Sequence, residues 1–222
     1  ERFQLAKFVS HGTIDAIKGS TEDGVRLGGS RKRVAILFAD IRGYTAFSES
    51  REPEIVVDVL NHYFAHQGGA VSRHNGDIDK FVGDQLMAIF QGAEMSADAV
   101  RCAQEIQDIM EASAKEHPDW ELDIGIGIDV GDVVVGAMGS PDRMDYTVLG
   151  DHVNLAARLC SAAAPKETMI SDAVYLETKD FRDFGFAPLE PISVKGKSNP
   201  ILVYAAEVLK SDAEAPQTAA GE

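Results

Sequence analysis

The sequence predicts an α+β fold with a ferredoxin-like βαββαβ core and additional hairpins and helices. Two observations carry this prediction. Apolar runs of strand length alternate with amphipathic segments in the order strand, helix, hairpin, helix, hairpin, strand, helix. The chain of 222 residues is also long enough for one large domain with its own hydrophobic core. Its 45% hydrophobic and 26% charged residues exclude collagenous, low-complexity and wholly disordered proteins.

The first elements are a connector, a buried strand and a long helix. Residues 1–30 combine scattered apolar positions with a Gly-rich stretch, which predicts a helical connector and a loop. The apolar run RVAILFAD, residues 33–40, predicts a central strand that is buried on both faces and ends at Asp40. From Pro53 to about His74, apolar residues recur at helical spacing, and proline suits the first turn of this helix.

A hairpin and a second helix follow. Residues 78–82 and 85–90 form two short strand-like runs joined at Gly83 and Asp84. Glycine accepts the positive φ of a tight turn, so these runs predict a β-hairpin with Asp84 at its tip. Apolar positions at helical spacing then predict an amphipathic helix over residues 97–115.

Glycines are prominent in the segment LDIGIGIDVGDVVVGAMG. Isoleucines alternate with glycines in its first half, which predicts a strand with one apolar face. Gly131 and Asp132 predict a turn into a second strand, residues 133–137, and hence another hairpin. The segment lacks the lysine of a Walker phosphate loop, so its glycines are interpreted as close-packing positions within a strand.

The last third adds short elements. MDYTVLG predicts a strand, after which Asp151 is expected to cap a helix that ends before Pro165. A strand at residues 168–170, a helix at 173–178 and a closing hairpin in PISVKGKSNPILVYAAEV follow. The polar end of the chain, residues 207–222, is predicted to be disordered.

Charge and cysteine content limit the range of functions that this protein can have. The chain has 21 basic and 36 acidic residues, a net charge of −15, which opposes binding to nucleic acid. Cys102 and Cys160 show neither CxxC nor histidine-paired spacing, so we expect no disulfide framework and no zinc site. A cytoplasmic location fits this composition, and no apolar run approaches the roughly 18 residues of a spanning helix. A membrane anchor elsewhere in a longer parent chain stays open.

Asp40 and Asp84 are the first candidates for chemistry. If the first two strands of the core pair, their ends bring both carboxylates toward one hard cation or two neighbouring ions. Both aspartates could instead be ordinary turn residues. The segment DIRGYTAF leads from a strand into a helical turn, so Gly43, Tyr44 and Thr45 could present backbone N–H groups to polyphosphate oxygens.

Five segments resemble, in order and spacing, the catalytic domain of class III nucleotide cyclases. They are FADIRGYTAF, DKFVGDQLMAIF, GIGIDVGDVVVGAMGS, YTVLGDHVNLAARL and VKGK, which together span about residues 31–206. The resemblance implies a class III cyclase fold that converts ATP to 3′,5′-cyclic AMP and pyrophosphate. It also implies active sites shared between two cyclase domains, here a homodimer in which each chain carries a full set of site residues.

The resemblance also implies roles for individual residues. Asp40 and Asp84 resemble the carboxylates that hold two Mg²⁺ or Mn²⁺ ions, with the backbone carbonyl of Ile41 as a further ligand. Asn154 resembles the asparagine that positions the ribose, and Arg158 resembles the arginine that stabilises charge on the α-phosphate. Their spacing of four residues places both on one face of a helix.

Base and phosphate contacts follow from the same resemblance. Lys80 can donate to adenine N1, and the Thr147 hydroxyl can accept from the adenine 6-amino group, so ATP is the predicted substrate. Lys195 resembles the residue that binds the terminal phosphates, although Lys197 could take its place. With threonine at position 147, the chain resembles a subgroup of bacterial cyclases that responds to bicarbonate. The resemblance suggests bicarbonate as a regulator.

Other functions stay open at this stage. A guanylyl cyclase, a catalytically silent nucleotide-binding regulatory domain and a polymerase-like nucleotidyl transferase are the alternatives. The net charge of −15 disfavours the transferase, since its template needs a basic groove. The connector at residues 1–30 is expected to join an upstream sensor or regulatory domain.

Overall fold

The computed structural model describes residues 9–19, 26–140, 142–193 and 200–209. Six helices and eight strands lie within these residues. The helices are α1 (His11–Lys18), α2 (Tyr44–Glu49), α3 (Pro53–Arg73), α4 (Met95–Glu116), α5 (Asp151–Ala162) and α6 (Asp172–Thr178). The strands are β1 (Gly28–Arg42), β2 (Gly76–Val82), β3 (Gln85–Phe90), β4 (Asp123–Ser140), β5 (Arg143–Leu149), β6 (Thr168–Ser171), β7 (Phe184–Pro188) and β8 (Val203–Val208).

All eight strands form one sheet, which confirms the predicted α+β class. The order is β2-β3-β1-β4-β6-β8-β7, and β5 pairs with β4 outside this path. β1 is central and pairs antiparallel with both β3 and β4. The expectation that the first two strands pair is therefore wrong, because β3 lies between β1 and β2. Asp40 nevertheless pairs with Gln85, the residue that follows Asp84.

The hairpin predicted at Gly131 and Asp132 is absent, because β4 runs through both residues as one strand of 18 residues. Its second half stays paired with the start of β1, where Gly131 opposes Val34 and Asp132 opposes Arg33. Gly131 serves close packing, since a Cβ there would lie 2.2 Å from Nε2 of His152. The hairpin of this region is formed by β4 and β5, where Ser140 pairs with Arg143.

The sheet buries apolar side chains on both faces. Ala35, Leu37 and Ala39 of β1 pack toward α3 and α4, in the cluster that also holds the alternating isoleucines of β4. Ile36 and Phe38 point the other way, toward α5. β1 is thus buried on both faces, as its continuous apolar run predicts.

The contact of α5 with β4 confirms the close-packing interpretation of the β4 glycines. A Cβ on Gly127 would lie 2.0 Å from the backbone nitrogen of Cys160 in α5. The predicted cap of α5 is wrong, because the N-cap residue is Gly150 and Asp151 is the first helical residue. The Asp151 carboxylate instead lies in the first turn, where it complements the positive end of the helix dipole.

The chain ends are described in part. The predicted connector contains α1, and the last strand reaches Val208, two residues past the predicted domain boundary at 206. Residues 210–222 and 194–199 lie outside the described residues, although Ile192 and Ile201 pair across the latter. None of the helices in the described ranges is long and apolar enough to cross a lipid bilayer.

Candidate active site

Asp40 and Asp84 lie beside each other at one edge of the sheet. Asp40 is near the end of β1, and Asp84 is in the turn between β2 and β3. Burial raises the pKa of Asp40, and the negative charge of Asp84 raises it further. Burial also raises the pKa of Asp84. Two partly buried carboxylates that repel each other form a place where a cation is stabilised.

Arg42 provides positive charge at this edge, and the sequence did not single it out. Its Nη1 donates to Asp40 Oδ2, and its Nη2 donates to the carbonyl oxygens of Cys160 and Ala163. The guanidinium therefore joins Asp40 to the end of α5. It lowers the pKa of Asp40, but burial and Asp84 outweigh it. Arg42 fixes the direction of the Asp40 carboxylate.

The donor set at this edge fits a hard divalent cation. Two carboxylates and the backbone carbonyl of Ile41 are oxygen ligands of the kind that Mg²⁺ and Mn²⁺ prefer. In the part of the chain that the structure describes, no group of three or more His, Cys, Asp or Glu side chains could hold a metal ion. Asp40 and Asp84 would therefore need water or substrate phosphates to complete the shell.

Lys80 and Thr147 come together through a third residue, Asp79. Thr147 Oγ1 donates to Asp79 Oδ2 at 2.8 Å. Lys80 Nζ lies 3.4 Å from the same oxygen. The Asp79 side chain is only 3% exposed, whereas that of Lys80 is 40% exposed. One buried carboxylate thus holds both residues to which the resemblance assigns recognition of the base.

Two backbone features produce this arrangement. The register of β2 against β3 shifts between Ile78 and Lys80, so Asp79 is a bulge residue. A bulge turns neighbouring side chains out of their usual alternation, which lets Asp79 and Lys80 meet. Strands β3, β1 and β4 lie between β2 and β5 in the sheet, so the hydrogen bond between Asp79 and Thr147 requires the sheet to curl.

Among the remaining predicted residues that the structure describes, Gly43 and Thr45 are exposed and Tyr44 is half-buried. Asn154 and Arg158 are both exposed on α5. Gly43 has a φ of 85° and is the N-cap residue of the short helix α2, which begins at Tyr44. Lys195 and Lys197 lie outside the described residues.

Within one chain, the predicted residues form separate groups. Asp40 lies by Asp84, and Lys80 lies by Thr147. Among the described residues, no hydrogen bond or ion pair links these two pairs to each other or to Arg158.

Comparison with known proteins identifies the family. The model of the adenylate and guanylate cyclase catalytic domain matches residues 29–207. The chain belongs to this family. An adenylate cyclase from Anabaena cylindrica is 32% identical over 219 residues, which cover 92% of this chain and 42% of that protein. The chain therefore spans less than half of that curated relative.

Solved cyclase structures share the fold. The adenylyl cyclase CyaB from P. aeruginosa has a TM-score of 0.78 and 34% sequence identity, over 85% of this chain and 100% of that chain. The guanylyl cyclase Cya2 has a TM-score of 0.74 and 30% identity, over 85% and 98%. Residues 29–207 are therefore a cyclase catalytic domain of the α+β class III type. Because both an adenylyl and a guanylyl cyclase match, membership of the family does not decide between ATP and GTP as the substrate.

Proposed function

We propose that this chain is an adenylyl cyclase that converts ATP to 3′,5′-cyclic AMP and pyrophosphate. The observation that carries the proposal is the pairing of Lys80 with Thr147 at the Asp79 carboxylate. An ammonium donor beside a hydroxyl acceptor complements adenine, whose N1 accepts and whose 6-amino group donates. Guanine has N1–H and O6 at these positions. The curated relative from Anabaena cylindrica, named adenylate cyclase, supports the same choice.

The reaction needs no protein nucleophile, because the ribose 3′-hydroxyl attacks the α-phosphorus. Two Mg²⁺ or Mn²⁺ ions at Asp40, Asp84 and the Ile41 carbonyl would supply polarisation of that hydroxyl and neutralise the phosphates. Asp40 and Asp84 fix the position of this charge relative to β1. Arg42 holds the Asp40 carboxylate in one orientation, because the other hydrogen bonds of the guanidinium anchor Arg42 to the end of α5.

The complete site is proposed to form between two copies of the chain. Asn154 would orient the ribose and Arg158 would stabilise charge on the α-phosphate, and both extend into solvent from α5. Neither is bonded to the carboxylate pair of its own chain among the described residues. A partner's carboxylates are therefore the proposed complement, which gives a symmetric dimer two equivalent sites.

Exposed apolar side chains support this subunit interface. Phe81 and Val82 lie exposed at the end of β2, next to Asp84, and Met144 and Leu149 lie exposed on β5. Apolar surface on the strands that carry the site is typical of a contact with another chain. A second copy would cover it where the two groups of residues have to meet.

The phosphates would be bound by groups outside these pairs. Gly43 is the N-cap residue of α2, and Tyr44 and Thr45 form its first turn, where backbone N–H groups are available to polyphosphate oxygens. Lys195 or Lys197 would bind the terminal phosphates. A sensor or regulatory domain joined through the connector at residues 1–30, and regulation by bicarbonate, also belong to the proposal.

The decisive experiment is incubation with ATP and Mn²⁺, followed by detection of cyclic AMP. A parallel incubation with GTP tests the second candidate, guanylyl cyclase, which Cya2 at 30% identity represents. We expect cyclic AMP as the main product and its loss in Asp84→Ala. A main product of cyclic GMP would replace the proposal with guanylyl cyclase. No cyclic nucleotide from either substrate would favour a silent regulatory domain.

A further inference from the structure

The hydrogen-bond chemistry of Thr147 depends on a neighbour that does not itself face the solvent. A hydroxyl has one proton to donate and lone pairs that accept, so alone it can serve adenine or guanine equally. In this structure its proton goes to Asp79 Oδ2 at 2.8 Å. Only lone pairs remain for the base. The same carboxylate lies 3.4 Å from Lys80 Nζ, which has donors but no acceptor.

We infer that Asp79 is a positioning residue that sets the base preference of this cyclase. It makes Thr147 an acceptor and holds Lys80 as a donor, the pattern that adenine complements. Against guanine, the lone pairs of Thr147 would meet O6, and the ammonium of Lys80 would meet N1–H. Unpaired polar groups of this kind are the strongest source of discrimination between similar substrates. This inference rests on the proposed function.

The surroundings of Asp79 favour this role. Its side chain is 3% exposed, so water does not compete for its oxygens, and a buried carboxylate without partners would be costly. A cavity of about 700 Å³ opens beside it, lined by Asp79, Lys80, Phe81 and Tyr146 among others. This space allows a planar base to approach Lys80 beside the Asp79 carboxylate.

Asp79→Asn tests the inference, because it keeps the shape and removes the obligatory acceptor. An asparagine can donate to Thr147 Oγ1, which frees the hydroxyl proton for guanine O6. The measurement is kcat/KM for ATP and for GTP on the same preparation. We expect the ATP-to-GTP ratio to fall about tenfold or more, mainly through a higher KM for ATP. The ratio does not depend on the fraction of active enzyme, so partial unfolding does not mimic this result.

Asp77→Asn is the matched control. Asp77 lies on the same strand, and its Oδ2 accepts from the backbone nitrogen of Gly12 at 2.9 Å. Its substitution removes an equal charge close to the site, and we expect the ATP-to-GTP ratio to stay within twofold of the wild type. A ratio within twofold in Asp79→Asn as well, or an equal fall in both variants, overturns the inference.

Thr147→Asn keeps the inference testable if Asp79→Asn gives no folded enzyme. With Asp79 intact, the new amide is expected to donate its NH₂ to the carboxylate and present its oxygen to the base, so ATP stays preferred. A preference for GTP in this variant overturns the inference. The proposed function is tested by a different result. It is contradicted if the wild-type chain makes no cyclic AMP, whatever the ATP-to-GTP ratio of the variants.

Discussion

The edge that bears Asp40 and the pocket that bears Asp79 both contain partly buried carboxylates, but they differ in how these are compensated. Asp79 accepts a hydrogen bond from Thr147 and lies close to Lys80, all within one chain. Asp40 has Arg42 as a partner but faces a second acid, Asp84, whose charge raises its pKa. Asp79 is therefore compensated within one chain, whereas the carboxylate edge keeps an excess of negative charge that a bound cation would compensate.

Asp40→Asn breaks the carboxylate edge and is expected to have the largest effect. Asparagine keeps the hydrogen-bond geometry toward Arg42 but loses the charge that would hold the cations. We expect kcat to fall about 10³-fold, the consequence of several kcal/mol of lost transition-state stabilisation. Cyclic AMP formation at saturating ATP and Mn²⁺ measures this. Asp58→Asn, an exposed aspartate on α3, is the control and should keep wild-type turnover. Near-normal turnover in Asp40→Asn would contradict the cation role.

Mixing two inactive variants tests whether the carboxylate edge and α5 act across subunits. Asp40→Ala and Arg158→Ala should each be inert alone. In an equimolar mixture with exchanging chains, half of the dimers combine both variants, and each of these has one intact site of two. We therefore expect about a quarter of the wild-type activity. If the mixture stays inert while labelled chains demonstrably exchange, each site is complete within one subunit.

The smallest predicted effect is on how the free energy of unfolding depends on pH. The pKa of Asp40 is raised in the fold by burial first and by Asp84 second, so the folded state binds this proton more tightly than the unfolded state. The stability that Asp40 contributes is present below the pKa of an unfolded aspartate and is lost as pH rises through the raised value. Charged Asp40 therefore weakens the fold at neutral pH.

Urea unfolding of the wild type and Asp40→Asn at pH 4 and pH 7, with chelator present, measures this difference. We expect the free energy of unfolding of Asp40→Asn to increase relative to that of the wild type as pH rises. Asp58→Asn serves again as the control for a lost exposed charge. If the free energy of unfolding of Asp40→Asn does not rise relative to that of the wild type between pH 4 and pH 7, Arg42 compensates the charge of Asp40 fully.

Local patterns predicted much of the fold. The β2–β3 hairpin was expected from Gly83, whose φ of 62° only glycine adopts freely. The predicted turn at Gly131 and Asp132 was wrong, because glycine also occurs where close packing requires it, here at Gly131 against His152. The distinction depends on which strand lies alongside, and β1 is almost 100 residues away in the chain. A turn signal carries no information about such a partner.

The candidate site was predictable to the extent that it follows a family pattern. Asp79 was missed because its role depends on the curl of the sheet, which brings β5 to β2. The available signal was an acid directly before Lys80, in a strand that also carries Asp77. Arg42 was missed for a similar reason, since its carbonyl partners belong to Cys160 and Ala163, more than 100 residues later.

The bulge in β2 restricts which changes in chain length this protein tolerates. Deleting Asp79 would remove the extra residue and leave Ile78 and Lys80 as neighbours opposite Ala88 and Met87, in a ladder without a bulge. The strand would lose the local bend of the bulge, and with it the carboxylate that contacts Thr147 and Lys80. Length changes at this position should therefore be rare among randomised variants that keep cyclase activity.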